Sequence, residues 1–167
     1  MFANVMRGAV VVALLLATPS ATASATAVVV DRIVDGDTLV VRGGARVRLV
    51  QIDAPEAHEE CYAEGATLEL TRLTPPGTPV ILETDSALDD VDRYGRLLRY
   101  VRRGATNVNV ELVRRGGATP WFYGGDRGRY ASRLLAAVAS AKAKRRGMWG
   151  ACRVRWTPEE PVTTRWR

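Results

Sequence analysis

The sequence predicts an α+β fold, a small closed antiparallel β-barrel with helices packed outside it. Two observations carry this. The patterned segments run in the order three strands, helix, two strands, two helices. The third of those strands is apolar on both faces, as a strand that curls into a small barrel must be.

The elements follow from their residues. Residues 27–34, AVVVDRIV, read as the first strand, and Asp35-Gly36 as the turn after it. Residues 38–42 are the second strand, with Gly43-Gly44 as a tight hairpin turn. Residues 45–52 are the third, where Val47, Leu49 and Gln51 alternate with Arg48, Val50 and Ile52. Tyr62, Ala66, Leu70 and Leu73 fall at helical spacing, and Pro75-Pro76-Gly77 stops that helix. Residues 79–84 and 97–101 are the fourth and fifth strands, joined by an exposed loop with four Asp between 85 and 94. Asn109 suits the N-cap of a helix ending at Arg115, with Gly116 as its stop. A last helix covers residues 129–146, with Tyr130, Leu134, Ala137, Val138 and Ala141 on one face. Residues 153–167 contain Pro158 and Pro161 without periodicity and are expected to form a loose tail.

The N-terminus has a different character. Residues 1–27 hold no acid and one base, Arg7, and residues 9–17 are an apolar run too short to cross a bilayer as a helix. Pro19 and three overlapping A-x-A triplets follow, the layout of a cleaved signal peptide. The expectation is a signal at 1–27, a domain at 28–152, and a secreted product with no lasting membrane association. Removing the leader takes away Arg7 and leaves 23 bases against 18 acids, +5. That favours anionic partners but is also ordinary for a soluble domain. Only Lys142 and Lys144 among the bases are not Arg. Genomic base composition and bidentate phosphate recognition both account for that bias.

Several chemistries are excluded. His58 is the single histidine, so no His pair can act as acid and base, and zinc-type His/Cys clusters are absent. There is no nucleophile elbow and no phosphate-cradling Walker loop. Acids and Arg remain, and they cluster at strand ends: Asp35-Gly36-Asp37-Thr38, then Arg48 with Asp53-Ala54-Pro55-Glu56, then Asp92-Arg93-Tyr94-Gly95-Arg96. Asp37 and Asp53 are hard oxygen donors suited to Ca²⁺ or Mg²⁺. A metal beside two Arg suits a phosphate, and a nearby Glu can position or deprotonate water. Taken singly, each group has a plainer reading: Asp35 and Asp37 as turn formers, Asp53 and Glu56 as a helix-start signal, Arg96 as a solvated charge.

The fragments IVDGDTL, RLVQIDAPE and DRYGR, in this order, resemble the staphylococcal nuclease (thermonuclease) family. NVELVRRG at 109–116 and GMWG at 147–150 are similar to its later helix and closing Trp, so the likeness covers residues 28–152. The resemblance implies an OB-fold, a five-stranded barrel with three helices. It also implies a Ca²⁺-dependent phosphodiesterase that cuts DNA and RNA at the 5′ P–O bond and leaves 3′-phosphates. Asp37 and Asp53 match the family's carboxylate metal ligands, and Ala54 a ligand that acts through its backbone carbonyl. Glu56 matches the residue that orients water. Arg48 and Arg96 match the two Arg that grip the phosphate. Arg93 and Tyr94 match positions near the terminal phosphate and sugar. Residues 118–125, ATPWFYGG, depart from the family's Tyr pattern; Trp121, Phe122 and Tyr123 are all candidates to stack on a base, with Tyr123 named among the substrate-binding residues and the choice of stacking ring left open. The rival reading is a non-catalytic OB-fold module that binds nucleic acid, which has no need of Asp37, Arg48, Asp53, Glu56 and Arg96 together. The protein is expected to be a monomer. Cys61 and Cys152 make an even count and the leader implies an oxidising destination, so a disulfide between them is expected.

Overall fold

The computed structural model describes residues 25–56 and 59–167. Residues 1–24 of the expected leader, and His58, lie outside them.

In chain order the elements are β1 (Ala25–Ile33), β2 (Thr38–Val41), β3 (Arg46–Leu49), β4 (Ile52–Asp53), α1 (Ala63–Leu73), β5 (Pro79–Glu83) and β6 (Leu97–Arg103). Then come β7 (Thr106–Asn107), α2 (Val108–Arg115), β8 (Thr119–Pro120), α3 (Ala131–Ala143), the single turn α4 (Met148–Ala151), β9 (Arg153–Arg155) and β10 (Thr163–Arg165). Five strands close the expected barrel in the order β3-β2-β1-β5-β6, with β3 pairing back to β6. That closing seam is parallel, Val47 opposite Leu97 and Leu49 opposite Arg99, while the other four pairings are antiparallel. β1 serves two neighbours. Its first half pairs with β5 and its second with β2, and a register shift between Val30 and Arg32 turns the corner.

The core is where alternation placed it. Val30, Leu39, Val47, Leu49, Val80, Leu82 and Val101 are buried in the barrel, and Ala66, Leu70, Leu112, Leu134 and Val138 pack from the helices. Burial of this apolar set is the main stabilising term, as in any domain of this size.

Four local readings change. β3 ends at Leu49, not at residue 52. Gln51 takes a left-handed φ of 63°, and Ile52–Asp53 leaves the barrel wall to pair with Pro120 and Thr119. The α2 N-cap is Asn107, whose side chain accepts from the Val110 N–H, not Asn109. Asn109 is buried instead, accepting from the Val101 N–H and donating to the Val50 carbonyl. Gly116 does cap α2, at φ 76°. The last helix ends at Ala143 and resumes as α4 after Gly147, at φ 54°. The expected loose tail is folded: β9 and β10 form an antiparallel hairpin, with Arg155 opposite Thr163 and Arg153 opposite Arg165.

Candidate functional site

The Asp-Gly-Asp turn between β1 and β2 is shaped by a close approach. A Cβ on Gly36 would lie 2.6 Å from the Ala54 Cβ and 2.7 Å from the Ala66 Cβ. Gly36 therefore lets the Asp37 segment pack directly on the segment after β4 and on α1. Thr38 pairs across to Arg48, which brings that guanidinium beside Asp37.

Arg48 is the hub. Its Nη1 donates to the carbonyls of Leu49 (2.9 Å) and Ile52 (2.7 Å), bracing the turn through Gln51. Its Nη2 lies 2.9 Å from Asp53 Oδ1 and 3.1 Å from Asp37 Oδ2. All three side chains are buried. Asp37 Oδ2 also accepts from the Ala54 N–H at 2.9 Å, and Asp37 Oδ1 from the Thr38 hydroxyl at 3.1 Å. Asp53 Oδ2 accepts from the backbone N–H of Val162 at 2.9 Å. Burial pushes the Asp37 carboxyl up to about 7, against the pull of Arg48. Burial raises Asp53 as well, again opposed by Arg48 and by the Val162 N–H.

These observations fit a divalent cation. Two hard-oxygen carboxylates share one guanidinium, so with both ionised the cluster keeps an uncompensated negative charge in a buried place. Among the described residues no third His, Cys, Asp or Glu joins them. Asp37 and Asp53 would hold the ion, leaving the remaining positions for a backbone carbonyl, water or substrate oxygen.

The raised carboxyls give a pH dependence in metal-free protein. The folded Asp37 binds its proton more tightly than the unfolded chain, whose ordinary value is 3.8. The stabilisation is complete below about pH 4 and is lost as pH rises through about 7. In excess chelator, the urea midpoint is expected to fall between pH 5 and pH 8. A midpoint that climbs over that range would mean the pair is held as anions.

Beside the hub lies a cleft of about 360 Å³ lined by Arg48, Arg93, Tyr94, Arg96, Trp121 and Tyr123, among others. Arg96 donates from Nε to Asp92 Oδ2 at 2.6 Å, which leaves the outer fork of its guanidinium for a ligand. Arg48 differs: both of its terminal nitrogens are engaged within the protein. The Arg93 Nη2 donates to the Tyr94 hydroxyl at 2.6 Å. Of the three aromatics at 121–123, Phe122 is fully buried. Trp121 and Tyr123 both line the cleft, packed edge to face at 5.6 Å, and the Arg48 guanidinium carbon lies 5.9 Å from the Trp121 ring centroid. Glu56 is exposed on the loop after Asp53 and is not among the cleft-lining residues; its N–H donates to Glu60 Oε2 at 2.8 Å.

The structure therefore brings Asp37, Arg48, Asp53 and Ala54 together, places Arg93, Tyr94, Arg96 and Tyr123 along one adjoining cleft, and leaves Glu56 on the neighbouring loop. Sequence reasoning missed Val162, Glu60 and Thr164. The Cys61–Cys152 disulfide is present, with Cα atoms 6.0 Å apart. Just beyond it Thr164 donates from its hydroxyl to the Cys61 carbonyl (2.6 Å) and from its N–H to Glu60 Oε1 (2.8 Å). The hairpin is thus strapped to the loop that carries Asp53 and Glu56.

A family model described as "Staphylococcal nuclease homologue" matches residues 46–151. The chain belongs to that family. The Endonuclease YhcR of Bacillus subtilis (strain 168) is 32% identical over 137 residues, 72% of this chain and 11% of that protein. The thermonuclease of Staphylococcus intermedius is 35% identical over 102 residues, 56% of this chain and 59% of that protein. The micrococcal nuclease of Shigella flexneri is 33% identical over 130 residues, 71% of this chain and 70% of that protein. The chain thus spans only a small part of the first relative and under two thirds of the second. As a staphylococcal nuclease homologue, it carries Asp37 on the N-terminal side of the matched region and the β9–β10 hairpin on its C-terminal side.

Proposed function

We propose that this chain is a secreted, monomeric, Ca²⁺-dependent nuclease that hydrolyses phosphodiester bonds of DNA and RNA and leaves 3′-phosphates. The observation that carries the reading is the buried Asp37–Arg48–Asp53 cluster at the edge of a cleft that also holds Arg96. Family membership supports it, as do the relatives' names.

Asp37, Asp53 and the Ala54 carbonyl would hold the ion. The ion, when bound there, would supply Lewis acidity to the phosphate. Arg96 presents its free fork to the phosphate, bidentately. Arg48 fixes both carboxylates and adds positive charge where negative charge develops on phosphorus. Glu56, on the neighbouring loop, takes a proton from a water whose oxygen bonds to phosphorus, and the P–O bond to the 5′ oxygen breaks as that oxygen takes a proton from solvent water. Trp121 and Tyr123 offer faces on which a base can stack. Secretion rests on the leader, and the β1–β5 ladder takes in Ala25, so a cut before that residue leaves the strand whole. No helix among the described residues is long and apolar enough to cross a membrane.

The test uses protein collected from the medium of an expressing host, its first residue fixed by N-terminal sequencing between Ser24 and Val28. Single-stranded DNA is expected to be cut with Ca²⁺, left intact with chelator, and cut poorly with Mg²⁺, whose strict octahedral demand suits a two-carboxylate site less well. Tight binding without cutting in Ca²⁺ would make the protein a binding module instead.

A further inference from the structure

The β9–β10 hairpin has one buried face and one exposed face. Thr164 is buried and Val154 half-buried, whereas Arg153, Arg155, Thr163 and Arg165 are exposed, the period-2 pattern of a two-stranded ribbon. Its outer face is cationic. Arg153 stands directly opposite Arg165, and like charges in that position repel. Among the described residues none of Arg153, Arg155 and Arg165 forms an ion pair, although ten other arginines do. Trp166, 74% exposed, follows directly. Three arginines on one face of a two-stranded ribbon, none paired with an acid among the described residues, concentrate positive charge there, and the exposed Trp166 lies at its end.

The ribbon is also fixed in place. The disulfide enters it, Thr164 is bonded to Glu60 and Cys61, and Val162, the residue before β10, is bonded to Asp53. Its outer face therefore starts, at Thr163 opposite Arg155, one residue from the hydrogen bond to a candidate metal ligand, and Arg165 lies about 7 Å beyond Thr163 at strand spacing. A face held this way binds without a large ordering cost.

We infer that the outer face of the β9–β10 ribbon is an exosite for the phosphate backbone of single-stranded nucleic acid. Arg153, Arg155 and Arg165 contact phosphates of the strand outside the cleft, and Trp166 offers a stacking face. This rests on the nuclease reading. It adds that long substrates are held beyond the reacting phosphate while the shortest ones are not.

The experiment compares the wild type with the Arg153→Gln/Arg155→Gln/Arg165→Gln triple variant and with the matching triple Lys variant. Fluorescence anisotropy in chelator gives the affinity for a labelled single-stranded 20-mer across a salt series. Cleavage of a dinucleotide in Ca²⁺ gives the activity of the cleft alone. The Gln variant is expected to bind the 20-mer about tenfold more weakly or worse. Its slope of log K against log salt should be shallower by roughly 2, at about 0.7 per phosphate contact. The Lys variant should keep the slope, dinucleotide cleavage should be unchanged in both, and circular dichroism melts should show both folded. An unchanged slope and affinity in a folded Gln variant overturns the exosite while leaving the nuclease intact. So does an equal loss on dinucleotide and 20-mer. Loss of binding to anionic phospholipid vesicles, with 20-mer binding retained, assigns the ribbon to a membrane surface and also overturns it. A wild type that neither binds the 20-mer nor cuts the dinucleotide overturns both readings.

Discussion

Arg48→Ala is expected to lower the hydrolysis rate by about 10²-fold or more, as for removal of one preorganised charge donor from a transition state. It should do more than that. Arg48 is buried between Asp37 and Asp53 and braces the turn that presents Asp53. Removing one partner of a buried ion pair typically costs about 3–5 kcal/mol, because the other charge is left without compensation. The destabilisation should shrink in acid, where both raised carboxyls take up protons. Arg96→Ala makes the contrast. It should lose a similar factor in rate, but its Asp92 partner sits near the surface, so stability should change by about 1 kcal/mol or less. Initial rates on single-stranded DNA and urea melts at pH 5 and pH 8 separate the two effects. A wild-type rate in Arg48→Ala would remove it from the machinery. A wild-type melt would show the buried triad contributes nothing to folding.

Reduction of Cys61–Cys152, or the paired Cys61→Ser/Cys152→Ser variant, is expected to lower Tm by roughly 10 °C. The two residues are 91 apart in sequence. The chain-entropy treatment gives at most about 4.5 kcal/mol for a loop of that length, and real bridges usually deliver less. For a domain of this size each kcal/mol is worth about 3 °C. The bridge also enters the hairpin whose Val162 N–H rests on Asp53 and whose Thr164 is bonded to Glu60. Calcium affinity, read by calorimetry on the folded variant, should therefore weaken, with some cleavage persisting in the cold. Equal Tm values in oxidised and reduced protein would show that the bridge carries no load. Equal calcium affinities would show that Asp53 does not depend on the strap.

The barrel was legible because alternation and turn residues are local signals. Each of the five strands that close it has its own run of β-branched or aliphatic residues, with turn or breaker residues between most of them. The disulfide was legible from the even cysteine count and the oxidising destination that the expected leader implies. Most of the candidate site was legible because its parts are side chains at strand ends, two Asp and two Arg, whereas Glu56 stands on the neighbouring loop. What escaped was made of main chain or of choices between neighbours. Val162 contributes an N–H, which its side chain does not advertise, across 109 residues of sequence. The hairpin strands are three residues each, too short for a periodic signal, and two prolines lie nearby. Asn107 and Asn109 are equally good caps by composition; the helix boundary assigned one to the cap and the other to the core. Phe122 was separated from Trp121 and Tyr123 only by the direction in which the chain enters the core.

The contact between Val162 and Asp53 also orders events in time. Ribosomes make the chain from its N-terminus at roughly 5–20 residues per second. Asp37, Arg48, Asp53 and Arg96 are therefore synthesised several seconds before residue 162 is added, Asp53 standing 109 residues before its cap. The bridge must wait for Cys152, and then for an oxidant. A nascent chain thus holds the candidate site residues with Asp53 uncapped and the loop around Glu56 unstrapped. The Val162 cap and the Cys61–Cys152 bridge are therefore the last of these contacts to form.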